Sequence, residues 1–461
     1  MFKGKAIIEL TDVNTNNTEV YEEENLVTNA VKDIFSLNPS GLMYPLQANN
    51  SASYCEELFP IANKCYGGIL IFEDRLKEDP NKYTVPSTNN IIGYASDNVN
   101  PTDYEKRGSA NLTESKAIEN GYKFVWDFST SQANGKISSL ALTHYKAGKF
   151  FYGDQNGRNA LLFLNGTYKR DVSSDINRAY SGMVEADVKN NTFTSIFLRK
   201  DKTLEIVKFK EDYLSVGLTN PMDRNAPQKI EKTVLDISKH CSNYYDWNKW
   251  NFYDGKDGYW YGFFNGRKLS RIKIKKSDYS FTADEFDIGN IGFYSLGEYS
   301  ESNSGACGRS SNSLVKDGYL YAPSSNQRSV YKININNPVD ITKIDLGFEA
   351  GVNMGRSCYN TFFQLDDYIL CYNFQINSKD EVIKSFGPNY DGVTVDNITT
   401  PLIEIGPFRL GYGTFDGKLY KRLFLSTPYL GTINNLSTPI LKTADKTMKI
   451  TYTLTEEEGN E

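Results

Sequence analysis

Residues 257–264 read DGYWYGFF and residues 317–323 read DGYLYAP, a turn pair followed by a strand crowded with aromatic side chains. Asp and Gly satisfy the backbone of a turn, and aromatic residues suit a pleated, half-buried surface. The same pattern recurs outward in both directions: AGKFFYG at Gly148, NNTFTSIFL at Asn191, DDYILCYNF at Asp367 and DGKLYKRLFL at Gly417. From Gly148 to Gly417 the intervals are 43, 67, 60, 49 and 50 residues, with insertions lengthening the middle units. Periods of about 40–50 residues with several strands each mark propeller blades.

The strand that follows in each unit agrees. Arg271, Lys273 and Lys275 alternate with Ile272 and Ile274, and Tyr331, Ile333 and Ile335 alternate with Lys332 and Asn334. Such alternation predicts one face packed on a neighbour and the other in water. Asn265-Gly266 lies where the hairpin between the two strands must turn. The expected fold is all-β, with a propeller of about five to seven blades. An irregular array of β-sandwiches is the alternative.

Composition fits strands and excludes several classes of function. The 461 residues include 32 Tyr and 26 Phe but only 2 His and 6 Met. With 51 Lys and Arg against 57 Asp and Glu, the net charge is −6, which disfavours sequence-independent binding to nucleic acid. No apolar run approaches the roughly 20 residues that span a bilayer, so membrane insertion is not expected. The beginning, MFKGKAIIELTDVN, reads as a strand entering a polar turn and lacks a signal-peptide core. Cys55, Cys65, Cys241, Cys307, Cys358 and Cys371 form no CxxC pair and have no His beside them, so they read as buried thiols of a reducing cytoplasm.

The ends of the chain have a different texture. Residues 5–10 form an apolar strand. In LVTNAVKDIF, Leu26, Ala30, Ile34 and Phe35 recur at helical spacing, with Glu22, Glu23 and Glu24 at the end that a helix dipole favours. A second helix is expected over 53–61, and ILIF after Gly67-Gly68 reads as a buried strand. Residues 80–120, rich in Asn, Pro, Ser and Gly, suit loops or a long edge connection. YKFVWDFSTSQANGKISSLALT predicts two strands joined around Asn134-Gly135 as a hairpin. The last six residues, EEEGNE, read as an acidic, solvated tail.

Both ends carry long phrases of one kind. KGKAIIELTDVNTNNTEVYEEENLVTNAV, GGILIFED and WDFSTSQANGKISSLALT, with YLGTINNLSTPILKTADKTMKITYTLT at the close, resemble tail or baseplate proteins of the tail-fibre or receptor-binding type from phages, prophages and phage-tail-like particles of Gram-positive bacteria. The resemblance covers roughly the first 142 and the last 37 residues; the middle rests on the repeat alone. It implies a structural protein of a virion or phage-tail-like particle, made in the bacterial cytoplasm. Its implied partners are other tail or baseplate proteins, further copies of itself and a bacterial cell-surface glycan. It also implies an organisation in which residues 1–142 and 425–461 form a discontinuous attachment domain, sandwich-like with one or two short helices. Residues 143–424 are then an inserted propeller, which insertion tolerates because the ends of a closed propeller lie together.

Catalytic motifs are scarce. The chain has no GxSxG elbow, no Walker A loop, no HExxH and no GxGxxG after a strand, and no cofactor is implied. His144 and His240 are far apart and stand in no motif, reading as polar residues at strand ends or loops. A glycosidase would need two carboxyls about 5–10 Å apart. The candidates Asp254, Asp257, Asp317, Asp366, Asp367 and Asp416 mostly precede a strand of a unit, where Asp serves the turn. YDGKDGYW also lacks the Ser-x-Asp-x-Gly spacing of sialidase-type propellers. Asp254 and Asp257, three apart in a loop, are a weak calcium pattern, so no metal site is expected. The candidate glycan site is NYYDWNKWNFYDGKDGYWYGFF, residues 243–264, with Trp247, Trp250, Tyr244, Tyr245 and Tyr253 as its aromatic surface. Trp260 and Tyr259 read as blade packing. The expected role is structural and receptor-facing without a reaction; a virion-associated glycan hydrolase or a purely architectural spacer are the alternatives.

Overall fold

The computed structural model describes residues 2–31, 66–82, 84–88, 90–100, 103–144, 161–163, 168–171, 179, 182–199, 201–211, 227–240, 251–265, 268–293, 296, 313–350, 362–370, 374–384, 389–390, 393–394, 402–406, 408–415, 418–426 and 429–456. The first nine strands are β1 (Phe2–Asp12), β2 (Thr18–Glu24), β3 (Leu26–Val27), β4 (Gly68–Phe72), β5 (Ile91–Ala95), β6 (Ser109–Ala110), β7 (Lys116–Ile118), β8 (Gly121–Phe128) and β9 (Gly135–Thr143). Propeller strands follow. The first sheet comprises β12 (Met183–Asp187), β13 (Thr192–Leu198), β14 (Thr203–Lys210) and β15 (Gln228–Asp236), preceded by β10 (Leu161–Phe163) and β11 (Tyr168–Asp171). The second comprises β16 (Asn251–Asp254), β17 (Tyr259–Asn265), β18 (Leu269–Lys275) and β19 (Phe281–Phe286). The third comprises β20 (Leu314–Lys316), β21 (Tyr319–Pro323), β22 (Ser329–Asn334) and β23 (Ile341–Asp345). The fourth comprises β24 (Phe363–Leu365), β25 (Tyr368–Leu370), β26 (Phe374–Ile376) and β27 (Val382–Lys384). A short ribbon, β28 (Asn389–Tyr390) with β29 (Val393–Thr394), leads to β30 (Leu402–Ile405), β31 (Phe408–Phe415) and β32 (Lys418–Ser426). The chain ends with β33 (Thr432–Lys442) and β34 (Lys446–Glu456).

The two ends are zipped together. β1 pairs antiparallel with β34 from Phe2↔Glu456 to Asp12↔Lys446, and the six-stranded sheet runs β2-β1-β34-β8-β6 with β7 also on β8. Alternation decides its inner face: Ala6, Ile8 and Leu10 of β1 and Met448, Ile450 and Tyr452 of β34 are buried, while Ile7, Glu9 and Thr11 keep partial exposure. The second sheet runs β3-β33-β9-β4-β5, and every residue of β4 and β5 is buried. ILIF is therefore the buried strand its continuous apolar run predicts, covered on both faces.

Three expectations for this region need correction. β8 and β9 form no hairpin, because β8 pairs with β34 in one sheet while β9 pairs with β33 and β4 in the other. Phe124, Trp126 and Phe128 thus reach the shared core from one side, and Ile137, Leu140 and Leu142 from the opposite side. A two-residue hairpin would have kept both sets on one sheet. Within 80–120, expected as loop, β5 is a fully buried strand. Leu26 and Val27, expected to open a helix, pair instead with Ile433 and Thr432, and the helix begins at residue 29, with residues 29–31 its described part. The rest of that helix and the one expected over 53–61 lie outside the described residues.

Between β9 and β33 the described residues are nearly all-β and propeller-like. Successive first strands touch, β12 with β16, β16 with β20 and β20 with β24, so they line the axis. The fourth strands lie outermost, and β15 is exposed along most of its length. The sheet at the end of the chain's circuit runs β30-β31-β32, and its outer strand comes from β10 and β11, far back in sequence. This pairing closes the ring. Among the described residues no helix is long and apolar enough to cross a membrane.

The repeat is present but shifted by one strand. Asn191, Gly258, Gly318 and Asp367 precede β13, β17, β21 and β25, each the second strand of its sheet, because a short inner strand comes first. Gly417 precedes β32, a third strand, so the last unit begins earlier, at Phe408. The unit at Gly148 and the turn residue Gly266 lie outside the described residues, although β17 and β18 pair as the expected hairpin, Asn265 opposite Leu269. The alternation holds at its apolar positions, with Ile272, Ile274, Ile333 and Ile335 buried while Lys273, Lys332 and Asn334 keep partial exposure and Lys275 is exposed, but strands such as β17 are covered on both faces. One apolar cluster joins Ile196, Leu204 and Ile206 of the first sheet to Trp260, Ile272 and Ile274 of the second. Another joins Tyr261, Phe263 and Leu269 to Leu320 and Ile333 of the third, and a third joins Tyr321 and Val330 to Ile369 and Phe374 of the fourth.

Candidate functional site

The aromatic stretch at 243–264 enters the structure at β16. Trp247, Trp250, Tyr244 and Tyr245 lie outside the described residues. Tyr253 does not present a sugar platform: it is 8% exposed and packs among Phe263, Leu296 and Leu320 between the second and third sheets. Its hydroxyl donates to the Leu296 carbonyl at 2.8 Å and lies within hydrogen-bonding distance of Ser313 Oγ. Alternation explains the correction, since Phe252 and Tyr253 sit on opposite faces of a strand whose two faces are both covered.

Trp260 packs between blades as expected. It is 4% exposed, stacks on Tyr279 at 6.2 Å and donates its indole N–H to Glu185 at 3.0 Å. Lys276 sits 5.6 Å from its ring centre and bridges Glu185 and Asp254 at 2.9 and 2.8 Å. Burial works against the Lys276 charge, but the two carboxylates more than offset it and raise its pKa.

The candidate acids serve turns and pairs. Asp254 accepts the Lys256 N–H and holds Lys276; Asp257 accepts the Tyr259 N–H at 3.1 Å and the Tyr261 hydroxyl at 2.6 Å. Burial, then this bond to Asp257, pushes the Tyr261 phenol far up. Asp317 and Gly318 both have positive φ, 51° and 79°, the signature of a type I′ turn. Asp366 also has positive φ, and Lys82 approaches it at 3.4 Å. Asp367 accepts both the N–H and the hydroxyl of Ser87, the latter at 2.8 Å, and so ties the fourth sheet to the terminal sheets. Asp416 lies outside the described residues, as do all six cysteines. Among the described residues no three His, Cys, Asp or Glu side chains converge as a metal would require. His144 is buried, and the His240 ring meets Phe281 edge-on at 6.0 Å.

Sequence reading missed a repeated polar cluster between blades. Lys273 lies 4.1 Å from the Tyr259 ring centre and 5.3 Å from that of Tyr261, and Asn336, in the turn after β22, accepts from both Lys273 and Tyr261. One blade on, Lys332 lies 4.7 and 5.8 Å from Tyr319 and Tyr321, and Asp380 of the turn before β27 accepts from Lys332 and Tyr321. Burial, then the Asp380 charge, raises the Tyr321 pKa. The Tyr-x-Tyr pairs and the lysines stand in the quoted repeat; the acceptors on the next blade do not, because only folding brings them near. Arg271 works alongside, bridging Asp284 at 2.7 Å and donating to the Ile335 and Asn336 carbonyls.

No known family matches the chain, and no curated protein is similar to it in sequence. Solved structures with some likeness include a luciferin-regenerating enzyme, 9% identical, with 58% of this chain and 97% of that one covered and a TM-score of 0.27. They also include the β-propeller domain of Cps50 (Swd1) from Myceliophteria thermophila, 12% identical, covering 61% and 76% with a TM-score of 0.25. The β-propeller domain of the Trilobed protease from Pyrococcus furiosus is 8% identical, covering 69% and 95% with a TM-score of 0.20. At such scores the likenesses carry no argument, and the fold rests on the strand pairing above.

Proposed function

We propose that the chain is a structural component of a phage or phage-like tail or baseplate, whose propeller presents a receptor-binding surface to the host. In this reading it catalyses no reaction. Its work is assembly with other tail proteins and further copies of itself, and contact with a bacterial cell-surface glycan through the loop of Trp247 and Trp250. The observation that carries the reading is a propeller held on a platform built from both ends of the chain. β1 and β34 pair along their whole length, and Ala179, Met183, Phe193 and Phe209 of the propeller share one core with Phe72, Trp126 and Tyr452 of the platform. Such a junction fixes the direction in which the propeller points, which a displayed binding module needs and a loose tether does not provide. The resemblance of the two ends to tail and baseplate proteins supports the same reading.

The test is binding of the full chain to whole Gram-positive cells and to purified wall polysaccharide. Saturable binding, abolished by Trp247→Ala with Trp250→Ala in a protein that still assembles, is expected. Shortening of the polymer would replace the reading with that of a glycan hydrolase. Absence of binding on every strain would leave an architectural spacer.

A further inference from the structure

Platform and propeller meet at one end of the ring. Leu161 of β10 lies opposite Ser426, the last residue of β32, and six residues after Ser426 the platform resumes with β33 at Thr432. The chain therefore enters and leaves the propeller side by side. β32 is the third strand of its sheet, so this is the end at which third strands turn into fourth strands and first strands into second. The fourth sheet meets the platform at the same end. There the Ser87 hydroxyl donates to Asp367, between β24 and β25, at 2.8 Å and accepts the Ser378 N–H, between β26 and β27, at 3.1 Å. Lys82 approaches the neighbouring Asp366.

The far end holds the returns from each fourth strand to the next first strand, residues 237–250, 287–313, 346–362 and 385–401, the last including the ribbon of β28 and β29. Turns at the platform end span two to six residues, save 211–227 between β14 and β15. Connections longer than about 12–15 residues are uncommon in compact domains and usually serve a function. Two of the returns are fastened, in their described parts, to the turn at 324–328. Phe293 pairs with Ser324, and the Ser325 N–H donates to Gly292 O at 2.8 Å. The Leu346 and Ala350 N–H groups donate to Arg328 O and Gln327 O, both at 2.9 Å. A surface held in place before binding loses less entropy on binding. Lys239, Asn290, Ser325, Asn326 and Gly347 are exposed at this end.

Residue types select the ligand class. The return at 287–313 is rich in Ser, Asn, Gly and Tyr, which supply adaptable hydrogen bonds and flat contact area. Trp247 and Trp250 belong to the return at 237–250, whose flanking strands β15 and β16 reach the same end. Across the returns and the turns between second and third strands, Lys and Arg nearly balance Asp and Glu, so a polyanion finds no excess of positive charge there. Hydroxyls of an uncharged sugar both donate and accept, which suits such a surface. We propose that the far end of the propeller is the receptor face and binds a glycan without net negative charge, leaving the platform end turned toward the particle. This rests on the receptor-binding reading above and adds which end binds and what charge the ligand carries.

The test places an azide-bearing residue in the full chain at Lys239 or Asn290 on the far end, or at Ser277 or Val339 on the platform end, all four exposed, and joins a polyethylene glycol chain to it. Binding is read on whole Gram-positive cells, on wall polysaccharide stripped of teichoic acid, and on teichoic acid itself. The azide variants should bind as the parent does before conjugation, which sets folding apart from shielding. Polymer at Lys239 or Asn290 should then weaken cell binding about tenfold or more, and polymer at Ser277 or Val339 less than about twofold. The stripped polysaccharide should bind and teichoic acid should not. Equal loss at both ends, loss from the platform end alone, or binding of teichoic acid alone would overturn the assignment of the face while leaving the receptor reading in place. An unmodified chain that binds no strain would remove that reading and the face with it.

Discussion

Lys442 shows how one buried charge can govern a corner of the fold. It ends β33, is 1% exposed, and its Nζ donates to Ser129 O at 2.9 Å, Thr130 O at 3.4 Å and Asn134 Oδ1 at 2.8 Å. These acceptors belong to the crossing from β8 to β9, which the amine ties to β33 in addition to the crossing's other bonds, such as Asn134 Nδ2 to Thr130 O and Ala133 N to Glu105 O. Burial pushes the Lys442 pKa down from 10.5 to about 8, with Asp445 pulling the other way. A folded-state pKa below the unfolded one means that the unfolded chain holds the proton more tightly between those values. Stability contributed by Lys442 therefore rises as pH climbs from about 8 to 10.5, then levels off. The neutral amine still donates two bonds, so most of the anchor survives deprotonation. Denaturant midpoints of the parent and Lys442→Met should diverge by about 2 kcal/mol, in the parent's favour, on going from neutral pH to about pH 9.5. A constant gap would mean that the three acceptors hold the ammonium as firmly as water does. Nothing near Lys442 in sequence announced this role, since Asn134-Gly135 read as a simple turn.

At the scale of elements, the blades are joined by apolar wedges and then keyed by the Tyr–Lys clusters. Asp380 is the informative member. It sits at φ 63°, where Asp and Asn are tolerated better than Ala, and takes Lys332 at 2.6 Å and the Tyr321 hydroxyl at 3.3 Å. Asp380→Asn keeps the turn and an acceptor and should cost less than about 1 kcal/mol. Asp380→Ala adds backbone strain and leaves the largely buried Tyr321 hydroxyl unpaired, for about 2 kcal/mol in all, measured by chemical unfolding. Equal losses in the two variants would show that neither strain nor the hydroxyl matters. Local pattern made some elements legible: ILIF is buried as read, and Trp260 packs between blades because an aromatic in a two-sided strand has nowhere else to go. Pairing partners were not legible, and partners decide the errors. β8 and β9 look like a hairpin until β34 and β33 claim them for different sheets. The strand phase was missed because inner strands such as β20 and β24 span only 314–316 and 363–365, too short to show a period. Tyr253 was misread for the same reason: exposure of a strand residue depends on what covers each face, and here a neighbouring blade covers both.

For the whole molecule, the question is whether platform and propeller are two folding units or one. The propeller closes on itself through β10 and β11 with β32, which by topology alone would make it a separable insert. Packing argues otherwise. Phe193 and Phe209 stack at 4.8 Å, are 1% and 2% exposed, and belong with Met183 to the same core as Trp126, Tyr429 and Tyr452. Ile403 of β30 joins that core, so sheets at both ends of the propeller's circuit rest on the platform. The Ser87 to Asp367 bonds add a polar tie at the fourth sheet. Cutting out 143–424 would expose those rings and leave a large apolar patch. The full chain should therefore unfold in one calorimetric transition whose van't Hoff and calorimetric enthalpies agree, while the excised propeller should bind a hydrophobic dye and self-associate. Phe193→Ser with Phe209→Ser should restore solubility to the fragment, yet destabilise the full chain by several kcal/mol, because the buried area those rings fill is then lost to water and cavity. A monomeric, dye-free fragment, together with two separate transitions in the full chain, would make the propeller an independent passenger and the junction a mere contact. One transition means instead that the platform sets the propeller's aim through the same core that stabilises it, and that whatever load the propeller bears is delivered to β1 and β34.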